Sequence, residues 1–158
     1  MSWLLDGETP LSVSARLESA AGMDVDDVAD VRIRFGNGAL ARAHLSWRAP
    51  MRRTSALVYG ERASLEIEGD RVLLIDRAGR IEDLSVADMV DDSYHSAWFG
   101  GVAEKFERAV TEGTDPSIAK RNLAEARVAL MLVEAARKSS INHGVEIETA
   151  LSPIKSNS

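Results

Sequence analysis

The sequence contains no cysteine, which excludes a disulfide framework, a thiolate nucleophile and a cysteine metal site. Its histidines, His44, His95 and His143, are scattered without ligand spacing, and this argues against a metal centre. The acidic group Asp24, Asp26 and Asp27 lacks the spacing of an EF-hand loop. No run of about 18 apolar residues occurs, so no helical membrane span is expected. The opening Met-Ser-Trp-Leu-Leu-Asp-Gly is too short and too acidic to read as a signal peptide. A basic excess is also missing. Lys and Arg total 19 against 25 Asp and Glu, for a net charge of -6, and a nucleic-acid partner is therefore not expected. No strand runs into Gly-x-Gly-x-x-Gly, the loop that seats a dinucleotide pyrophosphate at a helix N-terminus. These absences point to a cytoplasmic protein that needs no covalent cross-link.

What is present suits an ordinary globular domain: 158 residues, 45% hydrophobic and 28% charged. A chain of this length buries roughly 70% of its extended-chain surface. Residues 1–151 read as one domain and 152–158 as a disordered tail. Trp3-Leu4-Leu5-Asp6-Gly7 reads as the last turn of a helix with Gly7 as its cap, so the chain looks like a piece of something longer.

The stretch Asp26–Arg48 alternates with period two on both sides of Gly36-Asn37-Gly38, which signals a hairpin. Ala29, Val31, Ile33 and Phe35 share one face of the first arm, and Ala39, Ala41, Ala43, Leu45 and Trp47 share one face of the second. A three-residue loop pairs Phe35 with Ala39 and puts both apolar sets on the same side. A two-residue loop would put them on opposite sides, so the three-residue loop with Gly38 left-handed is expected. That register sets Arg32 across from Arg42, an unfavourable like-charge pair. Something anionic should lie near them.

Before the hairpin, Val13, Ala15 and Leu17 alternate with polar residues as a first strand. After it come strands at Thr54–Tyr59, Ala63–Glu68, Arg71–Asp76 and Arg80–Ser85, turning at Gly60, Gly69-Asp70 and Ala78-Gly79. Then the period changes. Trp98, Val102, Phe106, Ala109 and Val110 mark an amphipathic helix over Ser96–Glu112. Asp115-Pro116 reads as a linker. A second helix over Arg121–Lys138 runs through Leu123, Ala126, Leu130, Val133 and Ala136, with its apolar middle reading as buried. Val145-Glu146-Ile147 suits an added edge strand. Strands followed by helices predict an α+β fold: a largely antiparallel, open-faced sheet of about seven strands with helices packed on one face.

The open face carries Arg16, Asp30, Arg32, Arg34, Arg42, His44, Arg48, Glu66 and Glu68. Two readings stand: a solvated face of mixed charge, or a face that meets a partner subunit or a substrate. Arg32, Arg34, Arg42, His44, Glu66 and Glu68 are the candidate oligomer-interface residues, with Glu66 and Glu68 of one copy near Arg32 and Arg42 of another. Arg48, Arg52 and Arg53 gather where the second hairpin arm ends, either as a solvated basic loop or as a site for a sugar, carboxylate or phosphate.

The series Phe35-Gly-Asn-Gly-Ala-Leu-Ala, Ser46-Trp47, Val58-Tyr59-Gly60 and Ala63-Ser-Leu-Glu resembles the C-terminal domain of the Gfo/Idh/MocA (glucose–fructose oxidoreductase / inositol dehydrogenase) family. Phe106 through Val110-Thr-Glu-Gly, Pro116, and Leu130–Ala136 followed by Gly144-Val145 continue the likeness. The resemblance implies part of an NAD(P)-dependent oxidoreductase acting on a sugar or polyol, without its N-terminal Rossmann domain. The family's Glu-Lys-Pro motif and its histidine-donating segment are both missing. The expected role is therefore substrate lining and oligomerisation, with no catalytic residue and no NAD or NADP bound by this chain alone. Trp47, Arg48, Arg52, Tyr94, His95 and Trp98 are the candidate substrate contacts, those before the first helix because members place such contacts near that entry. Expected partners are a second copy, as a dimer or tetramer, and a separate Rossmann-domain chain. The alternative is a free-standing binding or scaffold protein that keeps the fold.

Overall fold

A computed structural model describes residues 8–20, 24–51, 53–69, 71–85, 96–113 and 115–149. The helix end expected at Trp3–Gly7 and the tail 152–158 lie outside these residues. The chain divides into two compact units, residues 1–49 with 114–158, and residues 50–113.

In the first unit, strands β1 (Pro10–Glu18), β2 (Val28–Phe35) and β3 (Leu40–Ser46) form an antiparallel sheet. The hairpin adopts the three-residue loop. Phe35 N–H donates to Ala39 O at 3.0 Å, Gly38 takes φ 86°, and Ile33, Val31 and Arg32 stand opposite Ala41, Ala43 and Arg42. The Asn37 side chain accepts from Ala39 N–H at 2.9 Å, which fixes the turn from within.

In the second unit, β4 (Ser55–Tyr59), β5 (Ala63–Glu68), β6 (Arg71–Asp76) and β7 (Ile81–Asp83) form a second antiparallel sheet, followed in the chain by helix α1 (Ser96–Thr111). The Gly69 turn pairs Ile67 with Val72, Leu65 with Leu74 and Glu68 with Arg71, as its two-residue length requires. Asp76 holds the next turn. Its carboxylate accepts from Ala78 N–H and Arg80 N–H at 2.8 and 2.9 Å and pairs with the Arg80 guanidinium. The Arg80 backbone N–H and guanidinium lead the contacts that hold the Asp76 carboxyl below its usual range.

Helix α2 (Pro116–Ile141) returns to the first unit, and β8 (Ile147–Glu148) then joins the free edge of β1. Asp115-Pro116 opens this helix and is not a linker. Asp115 caps it by accepting from Ser117 N–H at 2.8 Å, and Pro116 occupies its first turn, where a missing N–H costs nothing.

The α+β class holds, with eight described strands in two four-stranded sheets where the sequence suggested one meander of about seven. Helix packing also differs. The buried face of α2 is Ala135, Ala136 and Ser139 near its C-terminal end, while Leu123, Leu130 and Val133 are exposed. A helix that is apolar nearly all round at Val128–Val133 offers several stripes, and the sheet takes the one whose small residues allow close approach. On α1 the stripe Phe99, Val102, Phe106 and Val110 is exposed, Phe106 at 71%. Period alone shows that a face can be buried, not what covers it.

The core of the first unit joins Val13, Ala15, Ile33 and Phe35 of the sheet to Ala135 and Ala136 of α2, flanked by Val31, Ala39, Ala41, Leu132 and Ile147. Short β8 leaves part of the β1 edge unpaired, and the end of α2 completes it. The fully buried Ser139 Oγ accepts from Ala15 N–H at 2.8 Å and donates to Val145 O at 2.7 Å, and Ser140 Oγ accepts from Leu17 N–H at 2.9 Å. At the open end of the β2–β3 hairpin, Arg48 grips Asp27 with both prongs, Nε to Oδ2 at 2.8 Å and Nη2 to Oδ1 at 2.6 Å. Asp27 also accepts Trp47 N–H on its backbone carbonyl at 2.8 Å.

Ser139→Ala orphans a buried N–H and a carbonyl together, so it should destabilise the protein by about 1–3 kcal/mol in urea unfolding. Ser140→Ala, at a half-buried position, should cost less. The hydrogen bond from Arg48 is the main cause that lowers the Asp27 carboxyl below its ordinary value of 3.8. A carboxyl depressed on folding contributes stability that is complete above its unfolded value and lost as pH falls through the folded one. The stability difference between the protein and Asp27→Asn should therefore be full at neutral pH and shrink below about pH 3.8. Unfolding titrations at a series of pH values measure it, and a difference independent of pH would refute the clamp.

Candidate functional site

Because side chains alternate along a strand, burying Val31, Ile33 and Phe35 turns Arg32 and Arg34 outward. The outer face of the first sheet is therefore a grid read directly from the register. One row is Ser14, Arg32, Arg42, and the next is Arg16, Asp30, His44. Residues facing each other in a row have Cβ atoms about 4.5–5.5 Å apart, and same-face rows are about 6.8 Å apart. Together with Ala15, Val31, Ala43 and Gly144, these six residues line a shallow cavity of about 570 Å³.

The charges on this face are sorted. Asp30 accepts from His44 Nδ1 at 2.7 Å, and because a carboxylate can only accept, the imidazole is held as the Nδ1–H donor with Nε2 left over. Arg16 pairs with Glu18 at 3.0 Å, and Arg34 with Glu146 at 3.3 Å. Glu146 also accepts a hydrogen bond from the Ser12 hydroxyl. Among the described residues, Arg32 and Arg42 form no ion pair.

The expected oligomer-interface set is split between the units. Arg32, Arg34, Arg42 and His44 share the outer face of the first sheet, whereas Glu66 and Glu68 stand on β5 of the second. The Glu68 carboxylate pairs with Arg53 of its own unit. Of the expected substrate contacts, Trp47 follows β3 and is 91% exposed, and the Arg48 fork is engaged with Asp27. Arg52, Tyr94 and His95 lie outside the described residues, and Trp98 falls within the first turn of α1. The sequence reading placed Arg16, Asp30 and His44 on this face but did not group them with Ser14. The signal was available, since the same register that opposes Arg32 to Arg42 opposes Asp30 to His44.

Chemically, the face can bind and orient. Among the described residues no group of three or more His, Cys, Asp or Glu side chains could hold a metal, and no helix is long and apolar enough to cross a membrane. All described strand pairs are antiparallel, and the Asp115 carboxylate sits at the N-terminus of α2.

Comparison with known proteins gives two kinds of likeness. Residues 1–66 match the family model for the GFO/IDH/MocA C-terminal domain. No curated protein matches the sequence. Among solved structures, an oxidoreductase from Pseudomonas syringae matches with a TM-score of 0.70 at 18% identity, over 94% of this chain and 48% of its own. Levoglucosan dehydrogenase in complex with NADH and levoglucosan matches with a TM-score of 0.68 at 20% identity, over 96% and 47%. An oxidoreductase from Agrobacterium radiobacter in complex with NAD+, L-tartaric acid and magnesium matches with a TM-score of 0.66 at 20% identity, over 94% and 45%. The chain thus spans about half the length of these structures. It has the fold of one part of these oxidoreductases and, over residues 1–66, the sequence pattern of the GFO/IDH/MocA C-terminal domain.

Proposed function

We propose that this chain is the substrate-lining and oligomerising portion of an NAD(P)-dependent oxidoreductase acting on a sugar or polyol. The observation that carries the reading is the fold match over nearly all of this chain and about half of proteins that bind NADH or NAD+, one of them with levoglucosan. Hydride transfer needs a cofactor held in geometry plus an acid/base group, and in this reading a Rossmann portion supplies both. The antiparallel sheets and the acid-capped α2 support assigning the dinucleotide to that portion. Trp47, with Arg48, Arg52, Tyr94, His95 and Trp98, would line the substrate side. A cytoplasmic location belongs to the same reading, supported by the absence of cysteine.

Calorimetric titration of the purified chain with NAD(H) and NADP(H) should give no saturable heat. Supplying a Rossmann portion, fused or in trans, should restore cofactor binding. A micromolar isotherm from the chain alone would overturn the assignment.

We also infer association through the charged outer face as a symmetric dimer or a tetramer of dimers, the closed forms commonest among soluble oligomers. An arginine-rich face suits pairing better than a lysine-rich one. Light scattering should show more than a monomer. Arg32→Glu with Arg42→Glu should weaken association, and Lys138→Glu on α2 should not. A monomer at high micromolar concentration would remove this part of the proposal.

A further inference from the structure

Arg32 and Arg42 face each other in the middle of the β2–β3 ladder, and no rotation of the hairpin can separate them. Moving either outward residue by one position would bring the buried set Val31, Ile33 and Phe35 to the surface. Like charges directly opposite destabilise a sheet. Their neighbours on the same face are neutralised: Arg16 by Glu18, Arg34 by Glu146, Arg48 by Asp27. Among the described residues, only the Arg32–Arg42 row carries two guanidiniums side by side without a carboxylate within 4.0 Å of either. The row ends on Ser14, whose hydroxyl can donate, and it crosses the cavity of about 570 Å³.

We propose that this row is a binding site for a free, doubly charged oxyanion of the phosphate type, such as the phosphate of a small phosphorylated metabolite. Two guanidinium forks on directly opposed residues can each give a pair of N–H donors to one tetrahedral anion, whose charge removes their mutual repulsion. A single carboxylate offers one charge and two oxygens and leaves the pair half compensated. Ser14 extends the donor row toward β1. Asp30 does not fill the role, because its carboxylate is engaged by His44 in the adjacent row. In turn that pair sets the edge of the site: an anion seated on Arg32 and Arg42 meets the Asp30 carboxylate on one side, which disfavours larger polyanions spreading across the face. The site depends on the register of the first sheet and not on the oxidoreductase reading.

The test is titration calorimetry of the full chain with inorganic phosphate at constant ionic strength, since exposed charges are screened by salt. Acetate serves as the monovalent oxyanion control. Saturable phosphate binding is expected, with acetate weaker. Arg32→Gln and Arg42→Gln should each weaken phosphate by about tenfold or more, the usual worth of a charged hydrogen bond, while Arg80→Gln in the second unit should change nothing. Thermal melting gives a second readout: phosphate should raise the melting temperature of the parent chain but not of the double variant. Three outcomes would overturn the proposal: no saturable heat with phosphate, equal affinity for acetate, or phosphate binding that survives both substitutions. A dimer that binds no phosphate and falls apart on Arg32→Gln with Arg42→Gln would also overturn it, assigning the pair to the carboxylates of a second copy.

Discussion

Everything on the first unit's surface follows from one burial: Val13, Ala15, Ile33 and Phe35 closing against Ala135 and Ala136. Each large side chain taken fully out of water contributes about 1.5–3 kcal/mol, so a slip of one residue, which would expose the whole set, is prohibitive. Small residues on α2 make the contact possible, since alanine lets helix and sheet backbones approach. With the approach so close, the Ser139 hydroxyl reaches the β1 edge and occupies the place of a missing strand. Packing and polar satisfaction thus come from the same turn of helix.

The same constraint orders the charges. Once the inner face is set, parity leaves Arg32 opposite Arg42 and Asp30 opposite His44, regardless of whether those neighbours suit one another. Exposed ion pairs such as Arg16–Glu18 contribute about 0–1 kcal/mol. Their effect here is chiefly on the pattern, because they neutralise the surroundings and leave one row positive. An unfavourable pair held in place by a favourable core is a local conflict of the kind that gathers at functional or strained sites.

The helices show the complementary pattern. α1 presents Phe99, Val102, Phe106 and Val110, and α2 presents Leu123, Leu130 and Val133, as exposed apolar residues. Apolar surface gathered along a helix in this way marks an interaction site more often than a solvated face.

The sequence by itself determined whatever depends on neighbours along the chain. Period two and the turn Gly36-Asn37-Gly38 determined the hairpin, its register and the Arg32–Arg42 opposition, because a strand's parity and a loop's length are local. The Gly69 turn and the extent of α1 were legible for the same reason. The start of α2 at Asp115-Pro116 was a local signal as well, an aspartate cap two residues from Ser117 with proline in the first turn, and the linker reading missed it. Tertiary structure alone decided the rest. Which stripe of α2 is buried depended on what the sheet could accept, and Val128–Val133 offered no preference by itself. The pairing of Ser139 with β1 spans 124 positions in the chain, and that of Arg34 with Glu146 spans 112. Such contacts leave no periodic trace, because they are made between side chains whose meeting only the packed fold arranges.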